Sequence, residues 1–147
     1  MDGLLLDTHA WLWYAEGISQ RLPADAVARI EAVRRQSRLF VSTISIWEIG
    51  MLQNKRRLTL SAAFNVWVEL ATTLPRLRLL PLDAESAVES TQLPGSFHGD
   101  PADRFLIAIA RVKGLHLMTA DEKIIEYGRE GYLNVFEIGA TKKDAPL

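Results

Sequence analysis

PADRFLIAIARVKGLHLMTAD, residues 101–121, decides the fold. Pro101 suits a first helical turn, and Gly114 stands where a C-terminal glycine belongs. A helix is therefore predicted over Pro101–Lys113. The apolar run Leu115–Met118 follows as a strand, and Asp121 comes just behind it. Outward from this unit, short apolar runs keep alternating with longer helical patterns. Gly3–Leu6, Leu39–Ser42 (LFVS), Leu77–Leu80 (LRLL) and Asn134–Ile138 read as strands. Between them lie a helix over Pro23–Gln36 with the stripe Val27, Ile30 and Val33, and an apolar helix over Ile44–Asn54. Ser61 caps a helix to Leu74, in which Phe64, Trp67, Val68 and Ala71 follow i, i+3, i+4, i+7. Asp83 caps a short helix to about Gln92, and LPGSFHGDP, residues 93–101, is a turn-rich loop. A last helix, Ala120–Tyr127, is stopped by Gly128.

Strands separated by helices need crossover connections. The prediction is a three-layer α/β/α fold with a mostly parallel sheet of about five strands. One domain is expected over residues 1–139, with 140–147 as a flexible tail.

The 147 residues are 48% hydrophobic and 24% charged, an ordinary globular mixture. With no cysteine, disulfides, thiolate metal sites and cysteine nucleophiles are excluded. Seventeen basic against 18 acidic residues give a net charge of −1, which excludes a globally basic nucleic-acid coat. The run Leu4–Leu6 is too short for an export signal, and no run approaches a membrane span. A cytoplasmic location is expected.

In parallel α/β sheets, ligands bind beyond the carboxyl ends of the strands. The residues predicted there are mostly acids. Asp7 follows the first strand and Asp121 the fourth, Glu48 lies early in the helix after LFVS, and Asp100 and Asp103 start the helix into the fourth strand. Clustered carboxylates either protonate or hold a cation, and oxygen-only ligation suits Mg²⁺ or Mn²⁺. Each acid also has a plainer reading. Asp7, Asp100 and Asp121 fit as helix caps, and Asp103 suits a helix macrodipole. Glu48 fits that plainer scheme least, because Ile44 and Leu52 put it on an apolar helix face.

The stretches LLLDTHAWLWY, VSTISIWEIGMLQNKRRL, HGDPADRFLIAIA and LMTADEKI, in this order, closely resemble the motifs of PIN-domain proteins of the VapC-like toxin branch. The resemblance spans residues 3–138. It maps the family's acidic quartet onto Asp7, Glu48, Asp103 and Asp121, with Asp100 as an additional acid. It implies a Mg²⁺- or Mn²⁺-dependent endoribonuclease with an RNA substrate, usually a homodimer, held inactive by a cognate antitoxin. Gly99 and Ala102 depart from the pattern, where relatives often carry Arg and Phe, and bear on substrate fit.

Thr8, Ser42 and Thr119 are candidates to support the acids by hydrogen bonds. Arg104, Lys55 and Arg56 are candidate RNA contacts, although Arg104 also fits an ion pair with a neighbouring acid, and Lys55–Arg57 a solvated helix end. His9, His98 and His116 read as structural, and Trp11, Trp13 and Trp47 as core. Two alternatives stand beside the nuclease: an inactive PIN-like module that binds RNA or protein, and a phospho-receiver-like signalling domain. The receiver requires an acid pair after the first strand, where Thr8 and His9 stand instead, and a lysine near the last strand, which is lacking.

Overall fold

A computed structural model describes residues 2–139; the predicted tail, 140–147, lies outside the described residues. The elements run β1 (Leu4–Leu6), α1 (Thr8–Glu16), α2 (Ala24–Arg35), β2 (Leu39–Ser42), α3 (Thr43–Asn54), α4 (Phe64–Thr72), β3 (Leu77–Leu80), α5 (Ala84–Thr91), α6 (Pro101–Lys113), β4 (His116–Thr119), α7 (Glu122–Arg129) and β5 (Val135–Glu137). The strands form one sheet in the order β3-β2-β1-β4-β5, and every neighbouring pair is parallel. From β1 the chain first winds outward through β2 to β3, then returns to the far side of β1 for β4 and β5. The β1/β4 boundary is the switch point at which such sheets open a crevice.

Alternate strand residues face opposite layers. Leu4, Leu6, Leu39, Val41 and Met118 join a core closed by Trp11 of α1, Ile30 and Val33 of α2, Ile49 of α3 and Trp67 of α4. Leu5 and Leu117 point the other way, into a core closed by Leu106, Ile107 and Ile109 of α6 and Ile124 and Tyr127 of α7. The helices therefore cover both faces, as the alternation of runs predicts.

Local chemistry moves several predicted boundaries. Ser61 does not cap α4: its N–H and hydroxyl both donate to the Glu16 carboxylate, at 3.1 and 2.7 Å, and Ala63 occupies the cap position. Pro23 is the cap of α2 rather than its first residue. Gly128 does not stop α7, which runs on to Arg129 and turns at Gly131, where φ is +93°. Gly128 serves packing instead, since a Cβ there would lie 2.6 Å from Val135 Cγ2 of β5. Trp11 and Trp13 are core, but Trp47 is 57% exposed on α3.

Candidate metal and phosphodiester site

Backbone caps bring the acids to one edge. Asp7 caps α1, its Oδ1 accepting from Ala10 N–H at 2.8 Å. Asp100 caps α6 and accepts from Asp103 N–H at 2.9 Å. Asp121 caps α7, accepting from Lys123 and Ile124. Capping and site membership are thus not alternatives, because a carboxylate offers about four lone-pair positions and a cap occupies one or two. Each cap locks a carboxylate at the head of a helix, where the macrodipole favours negative charge.

The hydroxyls tie these heads together. Buried Thr119, at the end of β4, accepts from Asp121 N–H at 2.9 Å, and its hydroxyl favours the charged form of Asp7. Thr8 donates to Glu48 and lies 2.9 Å from the Ser45 hydroxyl. Ser42 caps α3 through Ile44 N–H at 3.1 Å, which orients the helix carrying Glu48. Ser45 was not picked out from sequence; a serine in a first helical turn looks like an ordinary cap, and only the fold sets it against Thr8.

The acids act on one another electrostatically. Burial pushes the Asp7 carboxyl up, Thr119, Ala10 and His9 hold it back, and Asp121 raises it further. Burial also raises Glu48, against the Thr8 bond, with Asp100 and Asp7 adding repulsion. Asp103 is pushed up to about 8, first by burial and then by Asp100, Asp121, Glu48 and Asp7. Five carboxylates, from the caps of α1, α6 and α7 and from α3 and α6 themselves, therefore feel one another. Among the described residues none of the five is in an ion pair. Also among the described residues, no three acid or imidazole groups converge as a preformed metal cage. The fit to a hard divalent ion rests on uncompensated charge and an all-oxygen donor set.

The basic candidates separate. Arg104 is half-buried and, among the described residues, pairs with no acid: Nε and Nη1 donate to the Ser90 and Phe97 carbonyls at 3.0 and 2.8 Å. It fastens the loop between α5 and α6 that leads to Asp100. Lys55 and Arg56 are exposed at the end of α3, seven and eight residues beyond Glu48, or about 10–12 Å along the axis. His98 hydrogen bonds to Ser96 at 3.0 Å, and His116 lies 3.9 Å from Asp2. The Gly99 departure has a steric reason: a Cβ there would meet the Phe97 ring at 2.2 Å. Ala102 is buried.

A parallel α/β sheet with acids from several connections at its carboxyl edge defines the class. Residues 4–130 match the PIN domain family, and the chain belongs to it. Ribonuclease VapC22 of Mycobacterium tuberculosis is 36% identical over 126 residues, which cover 84% of this chain and 91% of that protein. The fold is similar to VapBC2 of Rickettsia felis bound to a promoter DNA fragment, with TM-score 0.67 and 14% identity over 92% of this chain and 98% of that one. It is also similar to DNA-bound VapBC of Salmonella typhimurium, with TM-score 0.66 and 19% identity over 95% and 100%.

Proposed function

We propose that this chain is a divalent-cation-dependent endoribonuclease, the toxin of a toxin–antitoxin pair, built as one domain over residues 1–139 and acting in the cytoplasm. The observation that carries the site assignment is the uncompensated cluster Asp7, Glu48, Asp103 and Asp121, with Asp100 beside it. The family and the 36% identity to a ribonuclease support the activity. Mg²⁺ or Mn²⁺ is the cation that the donor set fits. Such an ion supplies Lewis acidity that eases deprotonation of water and offsets charge on a phosphodiester.

The chain's own residues do the positioning. The three caps hold Asp7, Asp100 and Asp121 at their helix heads and leave lone pairs for a ligand. Thr119 accepts from the Asp121 N–H and favours the charged form of Asp7, so one hydroxyl bears on both acids. Thr8, itself bonded to the Ser45 hydroxyl, holds Glu48 against α1. Asp103, pushed up to about 8 by burial and the neighbouring acids, would give up its proton to hold a cation. Lys55 and Arg56 are proposed as peripheral RNA contacts.

For the protein partner, a cavity of about 370 Å³ opens between α1, α4 and β3. Its lining includes Trp11, Trp67 and the exposed Leu70, with Val66 exposed nearby on α4. An apolar groove of this kind suits an antitoxin segment. A homodimer is proposed from the family resemblance.

The test is to incubate the purified chain with structured and unstructured RNA, with and without Mg²⁺ or Mn²⁺, beside an Asp7→Asn control. Cation-dependent cleavage lost in the control is expected. Binding of RNA without cleavage under any cation would favour a non-catalytic module, for which the lack of a preformed cage among the described residues is the one supporting observation.

A further inference from the structure

Trp47 breaks the burial pattern of its helix. The buried residues of α3, Ser45 and Ile49, stand two positions to either side of it and so on the opposite face. Trp47 itself is more than half exposed, whereas Trp11, Trp13 and Trp67 are buried. An indole left in water is a large apolar surface without a partner. It is also the chain neighbour of Glu48, one helical rise of about 1.5 Å and about 100° of turn from a site acid.

The same helix ends in cations. Lys55 is the C-cap of α3, about 12 Å along the axis from Trp47, and Arg56 and Arg57 follow it. All three are exposed, and among the described residues none is in an ion pair. Arg56 holds φ at +58°, the left-handed position that ends helices and favours glycine. Its N–H donates to the Gln53 carbonyl at 2.9 Å, and that of Arg57 to the Leu52 carbonyl at 3.0 Å, which completes the helix stop. Cations suit a helix C-terminus through the macrodipole, but Lys55 already supplies that effect. Glycine would make the stop at lower conformational cost, so the charge of Arg56 is kept against a local preference.

We propose that single-stranded RNA leaves the acid site along the exposed side of α3, with one unpaired base stacked on Trp47 and phosphates beyond it on Lys55, Arg56 and Arg57. This rests on the ribonuclease reading above. A cation held by the acids engages a phosphate and gives no grip on a base. An aromatic face beside a basic track supplies that grip for a single strand, because every base has a π-face. Bases in a duplex are already stacked on one another, so the substrate class is unpaired RNA.

The test uses the full chain carrying Asp7→Asn to block cleavage, with Mg²⁺, labelled single-stranded RNA, duplex RNA of the same sequence, and a series of salt concentrations. Trp47→Ala is expected to weaken single-strand binding about tenfold and to leave the slope of log affinity against log salt unchanged, because stacking carries no charge. Trp47→Phe should recover most of the affinity, and duplex binding should be indifferent to Trp47→Ala. Arg56→Gly should melt no lower than its parent, yet bind more weakly and reduce the slope by about 0.7, the value for one lost phosphate contact on a single strand. Trp47 emission should be open to acrylamide in the free chain and shielded once the single strand binds. Unchanged affinity and slope in folded Trp47→Ala and Arg56→Gly variants would overturn the path while leaving the nuclease intact. A Trp47 already shielded in the RNA-free chain, and opened when dilution separates copies in the ultracentrifuge, would overturn it too and give this face to a second copy. No RNA binding by the Asp7→Asn parent, with no cleavage by the natural chain, would remove the ribonuclease reading itself and the path with it.

Discussion

Asp100 Oδ1 accepts a hydrogen bond from the Asp103 backbone N–H at 2.9 Å, so one site acid caps the helix whose first turn carries another. The cap fixes a negative charge next to half-buried Asp103, and after burial Asp100 is the largest cause of its rise to about 8. Helix capping and site electrostatics are here the same contact.

This gives a pH signature. Asp103 titrates near 3.8 when unfolded and near about 8 when folded without a cation. Between those values the folded state binds the extra proton, so metal-free stability falls as pH rises through that window. Raised Asp7 and Glu48 carboxyls act in the same direction. A divalent ion competes with these protons, so its stabilisation should grow with pH. Melting temperatures between about pH 5 and about pH 8, in chelator and in excess Mn²⁺, check both slopes; a flat metal-free profile would contradict the shared field.

Thr119→Val keeps shape and removes the hydroxyl. The Asp121 N–H is then left without its 2.9 Å acceptor, and Asp7 loses a hydroxyl that favours its charged form. A stability loss of about 1–3 kcal/mol is expected. Cleavage should fall as well, because Asp7 and Asp121 both lose the hydroxyl that bears on them. Thr119→Ser should recover both, as read by melting and by initial rates.

Gly128→Ala sets two effects against each other. Alanine is the better helix former by about 1 kcal/mol. Its Cβ, however, would meet Val135 Cγ2 at 2.6 Å and the Leu133 carbonyl at 3.3 Å, and a β-branched valine yields poorly. Overpacking costs about 1–3 kcal/mol, so net destabilisation is expected, with Val135→Ala relieving part of it in the double variant. Denaturant midpoints of the three variants decide the sign.

Leu70 is 67% exposed and lines the cavity beside α4. Leu70→Asp, and Val66→Asp beside it, should leave the melting temperature nearly unchanged while weakening antitoxin binding by tenfold or more. Titration of the folded variants with the cognate antitoxin reads the loss. Full affinity in both would move the partner to another face.

Much of this was legible in the chain because strand ends in a parallel sheet are predictable places. LFVS and LRLL were bounded correctly since each is a short apolar run between helical patterns. Asp7, Asp100 and Asp121 were legible both as caps and as edge acids, and the structure makes them caps at one edge. What failed depended on distant residues. Ser61 is drawn from capping by Glu16, 45 residues earlier. Gly128 is glycine because β5 packs on it, not because a helix ends there. Arg104 spans to Ser90 and Phe97, and no local pattern marks backbone carbonyls as its partners. Trp47 reads as core on an apolar helix, yet it is 57% exposed, because an apolar composition does not show which side of α3 the other elements cover.

Glu48→Gln, measured on one preparation for metal-free melting temperature and for Mn²⁺-dependent RNA cleavage, tests the acid cluster most directly. The amide keeps the shape and can still accept from Thr8, while removing one of the charges that repel Asp103. An acid that holds a cation predicts metal-free stability equal to or above that of the natural chain, by up to a few degrees, with cleavage nearly abolished. A Glu48→Gln protein that melts lower and still cleaves RNA would contradict it, and would make Glu48 a structural partner of a buried donor.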